Sequence, residues 1–273
     1  SELPGYINGL AIVGAAGGGR AGAVDVYLND VYNDDYDADG LGRELESEIG
    51  TDTHNRDTDG DGIWDGFEVL GIRAGSTGYP EQALPTWGAN PLHKDVFVEV
   101  DYYCNCSNGT CTEPCAGTFL PERARFVAEV AGKASGGPGY LENPDGKNGF
   151  SLHIDCLPGN FQPIPSSTYC GSWGGVNTLP PTYEEGRWAI PISYWNDPSY
   201  FSPIRQGIFH YGAGTPGGGG EGEVAGPCFR FKSSAASFFI HELGHNLGSP
   251  GSHGGDYEPG SSYNYKPHYI SLM

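Results

Sequence analysis

The chain changes texture near residue 91, where acid- and glycine-rich stretches give way to segments with regular apolar and polar periods. In DVFVEVDYY, residues 95–103, Val96, Val98 and Val100 recur at every second position, which predicts a strand. GFSLHIDC, 149–156, predicts another. QGIFHYGA, 206–213, and RWAIPISYW, 187–195, predict weaker strands, the proline marking the latter as an edge. Between the first two strands, residues 118–135 place Leu120, Ala124, Val127 and Ala131 on one helical face, with Thr118 as cap and Gly132 near the end. A late helix runs through AASFFIHELGHNLG, capped by Ser233 or Ser234, with Ala236, Ile240, Leu243 and Leu247 facing the core and Gly248 ending it in a left-handed conformation. This order predicts an α+β, or α/β-like, domain with a mixed sheet over residues 92–273, after a loop-rich module and linker over 1–91.

Composition supports two units. The chain has 273 residues, 37% of them hydrophobic, enough for one substantial core and a smaller module. Its 45 Gly and 21 Pro are interleaved with 17 Tyr, 12 Phe and 5 Trp, which describes a loop-rich globular protein rather than a disordered tract. Fourteen basic against 34 acidic residues give a net charge of -20, which argues against nucleic acid and for bound cations or simple solubility. No apolar run has the length of a transmembrane segment, and the first residues lack the basic start of a signal peptide.

The seven cysteines include the cluster Cys104, Cys106, Cys111 and Cys115, with Cys156, Cys170 and Cys228 further on. That cluster lacks the paired CxxC spacing of a zinc knuckle, so disulfides are expected ahead of a second zinc site, and the odd total leaves one cysteine unpaired or with a partner outside this chain. Glycosylation patterns at Asn105 and Asn108 agree with a secreted, extracellular protein.

DYDADGLGRELE, 35–46, and DTDGDGIWDGFE, 57–68, form a repeat offset by 22 residues. Each fits a twelve-residue calcium loop, in which oxygens come from positions 1, 3, 5, 7, 9 and 12 and glycine makes the sharp turn at position 6. The first copy offers Asp35, Asp37, Asp39 and Glu46, with Gly40 at the turn. Arg43 stands at its position 9 and cannot ligate, so a weaker site, or a ligand from Asp34 or Asp52, is expected. The second copy offers Asp57, Asp59, Asp61, Asp65 and Glu68 around Gly62. Residues 33–70 resemble thrombospondin type 3 repeats and related bacterial stalk sequences, which implies a calcium-ordered module with little hydrophobic core.

His241 and His245 lie one helical turn apart, where both imidazoles can reach a single ion about 2 Å away. Glu242 beside them completes HExxH, two neutral nitrogen ligands with a carboxylate placed to take a proton from water activated by zinc. His153, on a strand far upstream with no metal spacing, reads as a packed core histidine.

Through His241, Glu242, His245 and Gly248 the chain resembles the metzincin metalloproteases, whose motif is HExxHxxGxxH followed by a methionine turn beneath the zinc. The family's third histidine would fall at Gly251, whereas here the histidine is His253, and the turn-forming SPGS between can absorb the extra length. The resemblance implies His253 as third zinc ligand, with His268, Asp256 and Glu258 as alternatives. NYKPHYISLM resembles the run leading to the methionine turn of a group of secreted zinc proteases, with Met273 as the turn residue. GANPLHKDVFVEVDYY and NPDGKNGFSLHID resemble their upstream strands, so the likeness spans roughly residues 88–273. It implies a metzincin-like catalytic domain over 92–273, cut short before the rest of the substrate wall. The function implied is a calcium-stabilised, zinc-dependent endopeptidase acting on protein or peptide substrates, with Glu242 as general base. The alternative is a calcium-dependent surface or adhesion protein whose zinc site is structural or inactive.

Overall fold

The computed structural model describes residues 34–72, 82–103, 141–156, 191–215, 219–232 and 236–248, with 171, 173–175 and short strand segments at 106–107, 110–111 and 178–179. The expected helix over 118–135 lies outside the described residues, as do His253, Asp256, Glu258, His268 and Met273. Contacts divide the chain into two units, Ser1–Asp95 with Glu142–Asn148, and Val96–Leu141 with Gly149–Met273.

The first unit is built from acidic loops and short helices. Helix α1 (Arg43–Ile49) and helix α2 (Asp65–Leu70) each begin at position 9 of a repeat, which seats the position 12 glutamate in the first turn. Gly50, at φ +92°, ends α1 by donating its N–H to the Glu46 carbonyl at 2.7 Å. Helix α3 (Leu84–Trp87) follows, with a proline at its start. Leu41, Ile63 and Leu84 supply the buried hydrophobic side chains described here.

The second unit holds a mixed six-stranded sheet and few helices. Its strands are β1 (Asp95–Tyr103), whose first residue still belongs to the first unit, β4 (Ser151–Asp155), β5 (Thr178–Leu179), β6 (Phe209–Thr215), β7 (Glu221–Gly222) and β8 (Cys228–Lys232). The order is β4-β1-β6-β8-β7, with β5 also pairing β1. Strands β5 and β6 run parallel to β1, and β8 parallel to β6, while β7 lies antiparallel to β8. A separate antiparallel pair joins β2 (Cys106–Ser107) to β3 (Thr110–Cys111).

The alternation in β1 is real, but both faces are covered, as a strand inside a largely parallel sheet requires. Val98 and Val100 face a core completed by Leu152, Ile154, Phe229 and Phe231, against which helix α5 (Ala236–Asn246) lays Phe239 and Leu243. Phe239 meets Phe229 and Phe231 edge-on, at 5.2 and 5.1 Å between ring centres. Of the edge strand expected over 187–195, residues 187–190 lie outside the described residues and Ile192–Trp195 is instead a helical turn, α4, because the fixed φ of Pro191, at -76°, suits the start of a helix. Leu247 is exposed rather than in the core stripe, and Phe239 takes the central buried position.

On the opposite side of β1, Arg205 is fully buried. Its Nη1 donates to Glu99 Oε2 at 2.6 Å and Asp155 Oδ2 at 2.8 Å, and its Nη2 to the Trp173 carbonyl at 2.8 Å. Burial pushes the Glu99 carboxyl well above its usual range, against the pull of Arg205. Asp155 also accepts the backbone N–H groups of Trp173 and Gly175, so one buried ion-paired cluster fixes that loop to the sheet.

Candidate metal centres

Helix α5 brings together what its sequence promised. His241, Glu242 and His245 present ligand atoms within 4.8 Å of one another, and the two imidazole rings stand 5.0 Å apart and nearly perpendicular. Glu242 and His245 are buried, with Glu242 4% exposed and His245 6%. Burial raises the Glu242 carboxyl above its ordinary range, opposed by the neighbouring His241 and Arg230. A carboxylate so placed suits a proton acceptor beside a cation.

The lower end of the helix is pinned to the β7–β8 hairpin. Asn246 Nδ2 donates to the Glu223 carbonyl at 2.8 Å and the Cys228 carbonyl at 2.9 Å, while Ala225 N–H donates to the His245 carbonyl at 2.9 Å. Gly248 sits at φ +95°, as expected for the helix stop. Two glycines let the edge strand approach: a Cβ at Gly220 would overlap the Glu242 carboxylate, and one at Gly222 would fall 2.5 Å from the Glu242 carbonyl and 3.0 Å from His245 Cβ. Neither Asn246 nor these glycines was singled out from sequence; the only signal was the Gly-rich run before β7. His153 is buried on β4 with its ring stacked 4.5 Å from Phe97, a packed histidine as expected.

The acidic repeats fold alike. Asp35 and Asp57, at position 1, each accept N–H groups three and five residues on, and the position 6 glycines lie at φ +101° and +97°. The carboxylates of Asp35, Asp37 and Asp39 converge within 4.8 Å, as do those of Asp57, Asp59 and Asp61, and those of Asp61, Glu68 and Asp95. Both oxygens of Asp37, Glu46 and Glu68, and Oδ2 of Asp59, are buried without a hydrogen-bond partner. These residues occupy positions 3 and 12 of both loops. Burial, with repulsion from neighbouring acids, pushes Asp39, Glu46 and Asp61 up to about 7, Asp59 to about 8 and Glu68 to about 11. An unpaired buried polar group costs about 1–3 kcal/mol, and more when charged, so the arrangement fits a divalent cation with oxygen ligands.

Two details differ from the twelve-residue pattern. Arg43 is exposed and its Nε pairs with Asp34 at 3.3 Å, so Asp34 serves the arginine rather than the first loop. Asp52 accepts the His54 N–H at 3.1 Å instead. Asp65, at position 9 of the second loop, turns both oxygens to Thr58, accepting its N–H at 2.9 Å and its hydroxyl at 2.6 Å. It is not brought together with Asp57, Asp59 and Asp61.

Cys156 is disulfide-bonded, and Cys228 is a buried free thiol. Among the described residues no helix is long and apolar enough to cross a membrane. No family model, curated protein or solved structure matches this chain.

Proposed function

We propose that the chain is a zinc-dependent endopeptidase whose acidic loops are ordered by calcium. The observation that carries this reading is the convergence of His241, Glu242 and His245 at one point of a helix packed on a sheet. A structural site has no use for a buried carboxylate beside two imidazoles, whereas a hydrolytic one does. His241 and His245 would hold the ion, with His253 as the third ligand. Zinc, when bound, supplies a Lewis acid that acidifies water and polarises a peptide carbonyl.

The chain's own part is proton handling. Glu242 takes a proton from the attacking water and delivers it to the departing amine, so no covalent enzyme intermediate is required. Its buried setting raises its proton affinity toward that of a working base, and Asn246 keeps the helix fixed while the proton moves. The metzincin likeness of the HExxHxxG run and the disulfide at Cys156 support a secreted protease.

The test is casein cleavage by the intact chain. Cleavage blocked by a chelator, restored by zinc and abolished in Glu242→Gln with zinc still bound is the expected result. Undiminished cleavage in Glu242→Gln overturns the assigned base. Zinc binding without cleavage in the native chain favours the adhesion reading.

A further inference from the structure

Glu68 closes the second loop at position 12 and is 1% exposed, with neither oxygen meeting a hydrogen-bond donor. The carboxylates aimed at it are those of Asp61, at position 5, and Asp95, 27 residues beyond the loop's end. Asp95 is itself 3% exposed. Its approach is fixed by two backbone contacts: its N–H donates to Asp61 Oδ2 at 2.6 Å, and its Oδ2 accepts the Asn90 N–H at 2.7 Å. Among the described residues the nearby Lys94 sends its Nζ to the carbonyls of Asp59 and Glu142. Position 9, from which a twelve-residue loop draws a further oxygen, is occupied by Asp65, whose carboxylate is spent on Thr58.

We propose that Asp95 is a direct ligand of the calcium ion in the 57–68 loop, taking the place that Asp65 leaves. Glu68 and Asp95 are buried and converge with the half-buried Asp61 where both Glu68 oxygens lack a hydrogen-bond partner, so the cluster needs positive charge, and a hard divalent ion takes six to eight oxygens. The ion thereby ties the loop to Asp95, which lies with it in the first unit. The proposal rests on the calcium reading above and adds to it one ligand from outside the repeat. Its rival is a proton shared by Glu68 and Asp95, which predicts no role for Asp95 in ion affinity.

The experiment is calorimetric calcium titration of the intact chain after chelator treatment, for the native protein, Asp95→Asn, Asp61→Asn and Asp65→Asn. Asp95→Asn and Asp61→Asn should each weaken one calcium site by about tenfold or more, and Asp65→Asn by less. Native affinity in Asp95→Asn, with Asp61→Asn weakened, overturns the proposal while leaving the calcium reading intact. A native chain that takes up no calcium overturns both. Should Asp95→Asn not fold, crystals of the native chain grown with calcium decide the matter. An Asp95 oxygen about 2.3–2.6 Å from the ion supports the proposal, and a nearest approach beyond about 4 Å overturns it.

Discussion

The two units fill their interiors differently, the first around buried carboxylates and the second around an apolar cluster flanked by the ion-paired Arg205 group. In the first, Glu46, Asp59, Asp65, Glu68 and Asp95 are hidden alongside Leu41, Ile63 and Leu84. In the second, Val98, Val100, Leu152, Ile154, Phe229, Phe231, Phe239 and Leu243 form one apolar cluster. Burial stabilises the second unit directly, by about 1.5–3 kcal/mol for each large apolar side chain removed from water. In the first, burial of carboxylates raises the free energy unless a cation meets them, so the calcium proposed above would make its stability conditional on the ion. The same degree of burial thus records an apolar core in one place and, on the calcium reading proposed above, an ion-dependent one in the other.

The sharpest way to break this contrast is to withdraw the ion. Chelating calcium should accelerate amide exchange across 57–68 by roughly a hundredfold or more while the amides of β6 and β8 keep their protection. Equal protection with and without chelator, read by hydrogen exchange, would mean the acidic unit stands without metal. Next in size, Phe239→Ala should remove about 3–5 kcal/mol from the second unit in urea unfolding, yet leave calcium affinity unchanged.

Smaller, but more diagnostic, is Glu68→Gln, because its sign should invert. In chelator it relieves an unpartnered buried carboxylate and stabilises the first unit by about 1–3 kcal/mol; in calcium it removes a ligand and destabilises. A thermal unfolding shift of the same sign in both conditions would contradict the account.

The smallest effects are in pH. Without calcium, Glu46, Asp61 and Asp59 have folded values raised to about 7, 7 and 8. A raised folded value contributes stability that is complete below the ordinary carboxylate range and lost as pH climbs through the raised one. The ion-free first unit should therefore weaken between pH 5 and about 8. Calcium should reverse that slope, since the ion binds the ionised form. His210 on β6 works the other way: burial lowers it from 6.5 to about 4, and its Nδ1 has no partner. Its contribution is present above about 6.5 and lost as pH falls toward 4, so His210→Asn should flatten the acid limb of the second unit's unfolding midpoint.

What could be read from sequence was local. Aspartates at alternate positions around an obligatory glycine, and histidines one turn apart, fix their own geometry, and those groups converge where spacing placed them. The phase of α5 slipped because Glu242, His245 and Asn246 are buried, so the covered face is partly polar and a purely apolar stripe pointed to Leu247. Strand β6 looked weak because Gly212 and Gly214 carry no side chain. Their bareness is what lets the rings of Phe229 and Tyr102 lie across the strand. Asp95 and the Arg205 cluster depend on residues brought together from distant parts of the chain, which no period along the sequence encodes.

One measurement bears on the whole contrast: elemental analysis of zinc and calcium per chain in the purified native protein and in His245→Ala. The account predicts one zinc in the native chain and none in His245→Ala, with calcium present at the same level in both. Zinc absent from the native chain, or retained undiminished by His245→Ala, would contradict it.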